Sequence, residues 1–168
     1  MKFRVLWIED DARFGLAQLA GPVYVHGGYD LVVAGDVSTA IARLFRERFD
    51  AVIVDIRLPP GDDSEWRKLY HKAGYDKIHA RLGLHLLGSL IRPSEARVRL
   101  KRPPPAWLKP QLIGVFTVES RKEIGEELEQ LGIQVYEQKR ADLPDTVLLQ
   151  IIEMVLDQQG VPANDTVR

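Results

Sequence analysis

The 168-residue chain contains no cysteine. That absence excludes disulfide frameworks, thiolate metal centres and cysteine nucleophiles. Long hydrophobic runs are missing as well, and none approaches the roughly 18–20 apolar residues that span a bilayer. The opening MKFRVLWIEDD carries three acids where a secretory signal needs its apolar segment, so a cytoplasmic location is expected. There are no internal repeats, and the only low-complexity tract is RPPPAWLKP. Neither charge dominates, since 23 Lys and Arg face 24 Asp and Glu. The balance hides an asymmetry: residues 57–109 carry twelve Lys and Arg against five Asp and Glu, which leaves the flanks acidic.

What is present is ordinary in bulk: 45% hydrophobic and 28% charged residues suit one soluble domain with a real core. The runs FRVLWI, YDLVVAG, AVIVDI, LIGVFTV and IQVYE predict short strands. VSTAIARLFRERF places Ala40, Ile41, Leu44 and Phe45 on one helical face behind Asp36 or Ser38 as N-cap. ESRKEIGEELEQLG does the same with Ile124, Leu128 and Leu131 and stops at Gly132, and LPDTVLLQIIEMVLDQQG continues the rhythm to Gly160. Alternating strands and helices predict an α/β fold, a parallel sheet with helices on both faces, because each crossover must return the chain to the sheet's other end.

Two places break the pattern. A first helix within residues 11–27 is expected to end or kink at Gly21-Pro22, with VYVHGGY as a short second piece. Between Asp55 and Thr117 lie 61 residues, where one helix and two loops need roughly 20–30. Within that stretch ARVRLKR alternates charged and apolar residues, as an exposed strand or arm would, and Trp66 and Trp107 are placed to anchor the basic region. His71, His79 and His85 lack metal-ligand spacing and are expected to be solvated or partly packed.

In open α/β sheets ligands gather beyond the carboxyl ends of the strands. Here the first strand ends in WIEDD, the third in Asp55, the fourth in Thr117, and the fifth is followed by Lys139. Clustering Glu9, Asp10 and Asp55 is electrostatically costly unless a cation sits among them, and oxygen-only donors with open water positions suit magnesium. With a divalent ion present, Asp55 can act as a nucleophile on phosphorus while Lys139 neutralises phosphoryl oxygens and Thr117 donates a hydrogen bond.

These motifs resemble those of the receiver domains of two-component response regulators. VLWIEDDA resembles the family's first-strand motif, which implies Glu9 and Asp10 as the magnesium-holding pair and Asp11 as a less essential third acid. VIVDIRLP resembles the phosphoacceptor strand, which implies Asp55 as acceptor, Arg57 as the residue whose backbone carbonyl completes the metal shell, and Pro59 as the familiar proline. GVFTV resembles the switch strand with Thr117 as its hydroxyl residue. VYEQK places Tyr136 and Lys139 where the family keeps its switch aromatic and phosphate-binding lysine. Two positions depart: Arg140 replaces the proline that usually follows the lysine, and Val118 replaces a small residue.

The resemblance implies a flavodoxin-like (βα)5 receiver fold, with a five-stranded sheet of order 2-1-3-4-5. One receiver-like domain is expected over residues 1–159, with an insertion at about 61–82, an extended connection at about 93–110 and a tail at 160–168. GLHLLGSLI resembles the family's third helix, displaced by about twenty residues.

The expected role is a stand-alone receiver, not an enzyme, that takes a phosphoryl group on Asp55 with Mg2+. The donor would be a histidine kinase or phosphotransfer protein, and the output an unknown downstream partner, with homodimerisation through the fourth-helix and fifth-strand face as a further expectation. No membrane contact is expected, and nucleic acid is the least favoured partner of the basic stretch. The alternative is a receiver-derived adaptor that works without phosphorylation. A haloacid-dehalogenase-type phosphatase needs a second acid two residues after the nucleophile, and Arg57 stands there.

Overall fold

The β-branched runs form five parallel strands in a computed structural model that describes residues 1–160; the rest of the expected tail lies outside the described residues. The strands are β1 (Phe3–Ile8), β2 (Tyr29–Ala34), β3 (Ala51–Val54), β4 (Ile113–Thr117) and β5 (Val135–Gln138). Their order is β2-β1-β3-β4-β5. The chain therefore reverses direction across the sheet between β1 and β3, the crevice position of such folds. Registry pairs Ile8 with Val54, and the Asp55 N–H donates to the Ile8 carbonyl at 3.0 Å. Glu9 and Asp55 thus leave adjacent strands side by side.

Alternation along β3 divides the core. Val52 and Val54 join the layer with α2 (Val37–Arg46), α5 (Leu82–Ile91) and α6 (Arg121–Gln130), whereas Ala51 and Ile53 join the layer with α1 (Ala20–His26) and α7 (Val147–Gln158). Local chemistry sets the helix starts. Asp36 accepts the Thr39 N–H at 2.7 Å, and Ser120 and Glu123 form a reciprocal capping box.

One expectation needs correction and one open choice is decided. Residues 11–16 form turns and 17–19 a 3-10 turn, so Gly21-Pro22 lies in the first turn of α1 instead of breaking a longer helix. Proline is tolerated there because the first amides of a helix have no intrahelical acceptor. Of the exposed strand or arm expected for ARVRLKR, the arm is found: it pairs with no strand among the described residues. Its alternation instead buries Val98, held by a 2.7 Å hydrogen bond from Ser89 Oγ to its carbonyl, and leaves Arg97, Arg99 and Lys101 exposed.

The segment after β3 is folded. Asp63 caps α3 (Ser64–Lys72), Asp76 caps α4 (Lys77–Ala80), and Trp66, Ala80 and Leu82 are buried. Gly83, in the first turn of α5, lies directly over the loop after β3: its N–H donates to the Ile56 carbonyl at 2.9 Å, and a Cβ there would clash with the Asp55 carbonyl oxygen and lie 2.7 Å from Ile56 Cα. Only glycine allows this approach.

Candidate functional site

The carboxyl ends of β1 and β3 bring Glu9, Asp10 and Asp55 together so that one carboxylate oxygen from each lies within 4.8 Å of the others. They share an open cleft of about 730 Å³ with Asp11, Lys77, Val118 and Lys139. Lys139, just beyond β5, donates from Nζ to Glu9 Oε1 at 2.7 Å and to Asp55 Oδ2 at 3.1 Å. Its own N–H donates to the Thr117 carbonyl at 2.7 Å, so one more rung of β4–β5 pairing aims the lysine inward with Arg140 as the next residue. Asp11 accepts the Gly15 N–H at 3.1 Å and closes the turn before α1.

Burial makes this cluster electrostatically tense. Glu9 is 2% exposed, and its Oε2 is buried without a hydrogen-bond partner. Loss of water and the neighbouring Asp55 charge push its carboxyl up to about 9, outweighing Lys139. The Lys139 ammonium loses hydration too, but Asp55 and Glu9 more than compensate and raise its pKa. An orphaned buried acceptor among three hard oxygen donors fits a small divalent cation such as magnesium.

A second cation comes from the inserted segment. Lys77, the first residue of α4, places Nζ 2.5 Å from Asp10 Oδ2. This hydrogen bond raises the lysine's pKa despite partial burial. Sequence pattern pointed to the segment without singling out the residue, because nothing local separates Lys77 from Lys68 or Lys72.

Other expected site residues are placed less directly. Thr117 ends β4 on the same rim but is fully buried, takes the Glu119 N–H on its hydroxyl at 3.3 Å, and does not line the cleft. Val118, at 41% exposure, stands at the mouth in its place. Arg57 donates its N–H to Asp55 Oδ1 at 3.3 Å, while its guanidinium turns to Glu119 Oε1 at 3.0 Å. Tyr136 donates its hydroxyl to the Glu119 carbonyl and lies under the Arg121 guanidinium, 4.8 Å from the ring centre. Pro59 accepts the Val37 N–H at 3.1 Å and ties the loop after β3 to α2.

Glu119 itself escaped the sequence reading. It is 1% exposed and receives Arg57 at 3.0 Å and Arg81 at 3.5 Å. Its partners lie 62 and 38 residues away in the chain, so only topology makes it a hub. The histidines do not converge: His71 stacks on Tyr75 at 4.8 Å, His79 bonds Asp76 at 2.6 Å, and burial lowers the pKa of His85.

Among solved structures, the CheY-like response regulator receiver domain protein of Methanospirillum hungatei JF-1 matches over 95% of this chain and 98% of its own, at TM-score 0.59 and 19% identity. The signal receiver domain of a putative Luxo repressor protein from Vibrio parahaemolyticus matches over 95% and 94%, at TM-score 0.62 and 16% identity. The chain has the receiver fold. The chemotaxis response regulator CheY4 of Vibrio cholerae adds a third example, with TM-score 0.58 and 18% identity over 93% of this chain and all of that one. No family model and no curated protein matches the chain. At such identities the receiver neighbours establish architecture, and the activity rests on the residues in the cleft. No helix among the described residues is long and apolar enough to cross a membrane.

Proposed function

We propose that the chain is a response-regulator receiver, a phosphoacceptor and not an enzyme in its own right, that takes a phosphoryl group on Asp55. The observation that carries the proposal is Lys139 Nζ bridging Asp55 and Glu9 at the switch point of the sheet. An Asp55 carboxylate oxygen forms the new P–O bond while the P–N bond of a phosphohistidine donor breaks and its imidazole leaves. Lys139 offsets charge on the phosphoryl oxygens, a role that depends on its being held in position before the reaction.

Glu9, Asp10 and Asp55, with the Arg57 carbonyl, would hold Mg2+, which supplies further charge neutralisation when bound. Phosphorylation would then be read where Glu119, Tyr136 and Arg121 meet, at the face formed by α6 and β5, by a downstream partner or a second copy of the chain. A histidine kinase or phosphotransfer protein is the donor class that suits this chemistry, with the chain acting in the cytoplasm.

The adaptor reading has its own support in the Lys77–Asp10 pair, which already balances part of the acidic cluster, and in Thr117, which is buried away from the cleft. Incubation with acetyl phosphate and Mg2+, followed by intact-mass measurement, separates the two. Wild type is expected to gain one phosphoryl group, Asp55→Asn none, and Lys139→Ala is expected to react more slowly than Thr117→Ala. Absence of labelling in wild type would favour the adaptor, and labelling that survives Asp55→Asn would sink the acceptor assignment.

A further inference from the structure

The inserted segment reaches the cleft with a cation of its own. Lys77 Nζ sits 2.5 Å from Asp10 Oδ2, inside the same cleft in which the oxygens of Glu9, Asp10 and Asp55 converge within 4.8 Å. A divalent ion among these carboxylates would meet an ammonium already bonded to one of them. The two cations repel strongly at short range in a partly dehydrated cleft. We propose that Lys77 is a tethered counter-ion of Asp10 that a divalent cation displaces, so that metal binding and seating of α4 on the rim oppose one another. This rests on the metal-site reading given above.

The build of the segment suits displacement. α4 is a single turn of four residues, capped by Asp76 through the Ile78 N–H at 2.9 Å. Non-glycine residues with positive φ bracket it, Tyr75 at 58° and Arg81 at 47°. That conformation is unfavourable for side chains with a Cβ and persists only where surrounding contacts hold it. Those contacts are unevenly distributed. Trp66 before the turn and Ala80 and Leu82 at its end are buried, whereas Tyr75 and Ile78 are 66% and 50% exposed. Residues 75–79 thus bury little apolar surface, and the Lys77–Asp10 pair is their main hold on the rim. Segments of this kind open at small cost while their anchors stay in place. The arrangement makes the insertion a sensor of the site's charge: a bound dication frees the turn and uncovers the cleft from the side of α4.

The full chain tests this with the metal alone. Mn2+ binding is followed by the electron paramagnetic resonance of the free ion, with Mg2+ as competitor, in wild type, Lys77→Met and Lys72→Met. The last removes the same charge from an exposed position that makes no contact with the acids. Lys77→Met is expected to bind about tenfold more tightly, the scale of one charge-assisted hydrogen bond, and Lys72→Met to stay within about twofold of wild type.

Hydrogen exchange at the Ile78 and Ala80 amides supplies a second readout. Mg2+ is expected to speed exchange in wild type and leave it unchanged in Lys77→Met, where the turn is already released. Equal affinity in wild type and Lys77→Met, or exchange that Mg2+ slows, overturns the displacement while leaving the metal site standing. If neither protein binds Mn2+ at millimolar concentration, the metal site falls and the displacement with it.

Discussion

The two additions to the receiver fold, the segment between β3 and α5 and the connection between α5 and β4, are both rich in Lys and Arg, yet they use the charge differently. In the first, Lys77 and Arg81 turn inward to Asp10 and the buried Glu119. In the second, Arg97 and Arg99 stay exposed, Arg102 lies over the Phe45 ring at 4.7 Å, and Lys101 reaches Asp63 only at 3.9 Å. The contrast follows from where each starts, the first at a strand end and the second at the end of α5. The first departs from the carboxyl end of β3, among carboxylates whose partial burial makes a cation valuable. The second runs along α2 toward the start of β4, where it finds apolar side chains and water. Composition therefore says little about the work a basic segment does; the rim it leaves from says more.

Removing the anchors should sharpen the comparison most. Trp66 is 1% exposed and seats α3, so Trp66→Ala is expected to cost about 3–5 kcal/mol in urea unfolding. Trp107, half-buried with its ring 6.3 Å from that of Phe49, anchors the second connection less deeply. Trp107→Ala should cost about 1 kcal/mol, the centre of the range for single substitutions. Equal losses would mean that the two additions are held alike.

The next effect is read against pH and concerns Glu9, in the acidic cluster that the first addition reaches. The folded chain keeps a proton on Glu9 up to about 9, whereas the unfolded chain releases it near 4.5. Unfolding between these values releases a proton, so the contribution of Glu9 to stability is complete below 4.5 and is lost as pH rises through about 9. Metal-free wild type should lose up to about 1.4 kcal/mol per pH unit inside that window. Glu9→Gln should remove most of this slope, and parallel pH profiles would show that Glu9 is not the group responsible.

The smallest effect is expected from the second addition's cations. Replacing Arg97, Arg99, Lys101 and Arg102 by Gln should change stability by less than about 1 kcal/mol, since exposed pairs and a single surface cation–π contact contribute little. Acetyl phosphate labelling of Asp55 should proceed at the wild-type rate. A slowed reaction would show that this connection, too, works on the cleft.

Much of the molecule was legible before any coordinates. The strands announced themselves through β-branched runs and the helices through apolar spacing, with a cap at Asp36, because these signals depend on near neighbours in the chain. The convergence of Glu9, Asp10, Asp55 and Lys139 could also be read, since in a parallel sheet every strand end reaches the same rim. What the tertiary structure alone decided was which long-range partner each polar group takes. Lys77 meets Asp10 across 67 residues, Glu119 is buried between two arginines, and the Thr117 hydroxyl turns to the Glu119 amide instead of the cleft. Such choices depend on the distance and dehydration that packing creates, and a linear pattern carries neither.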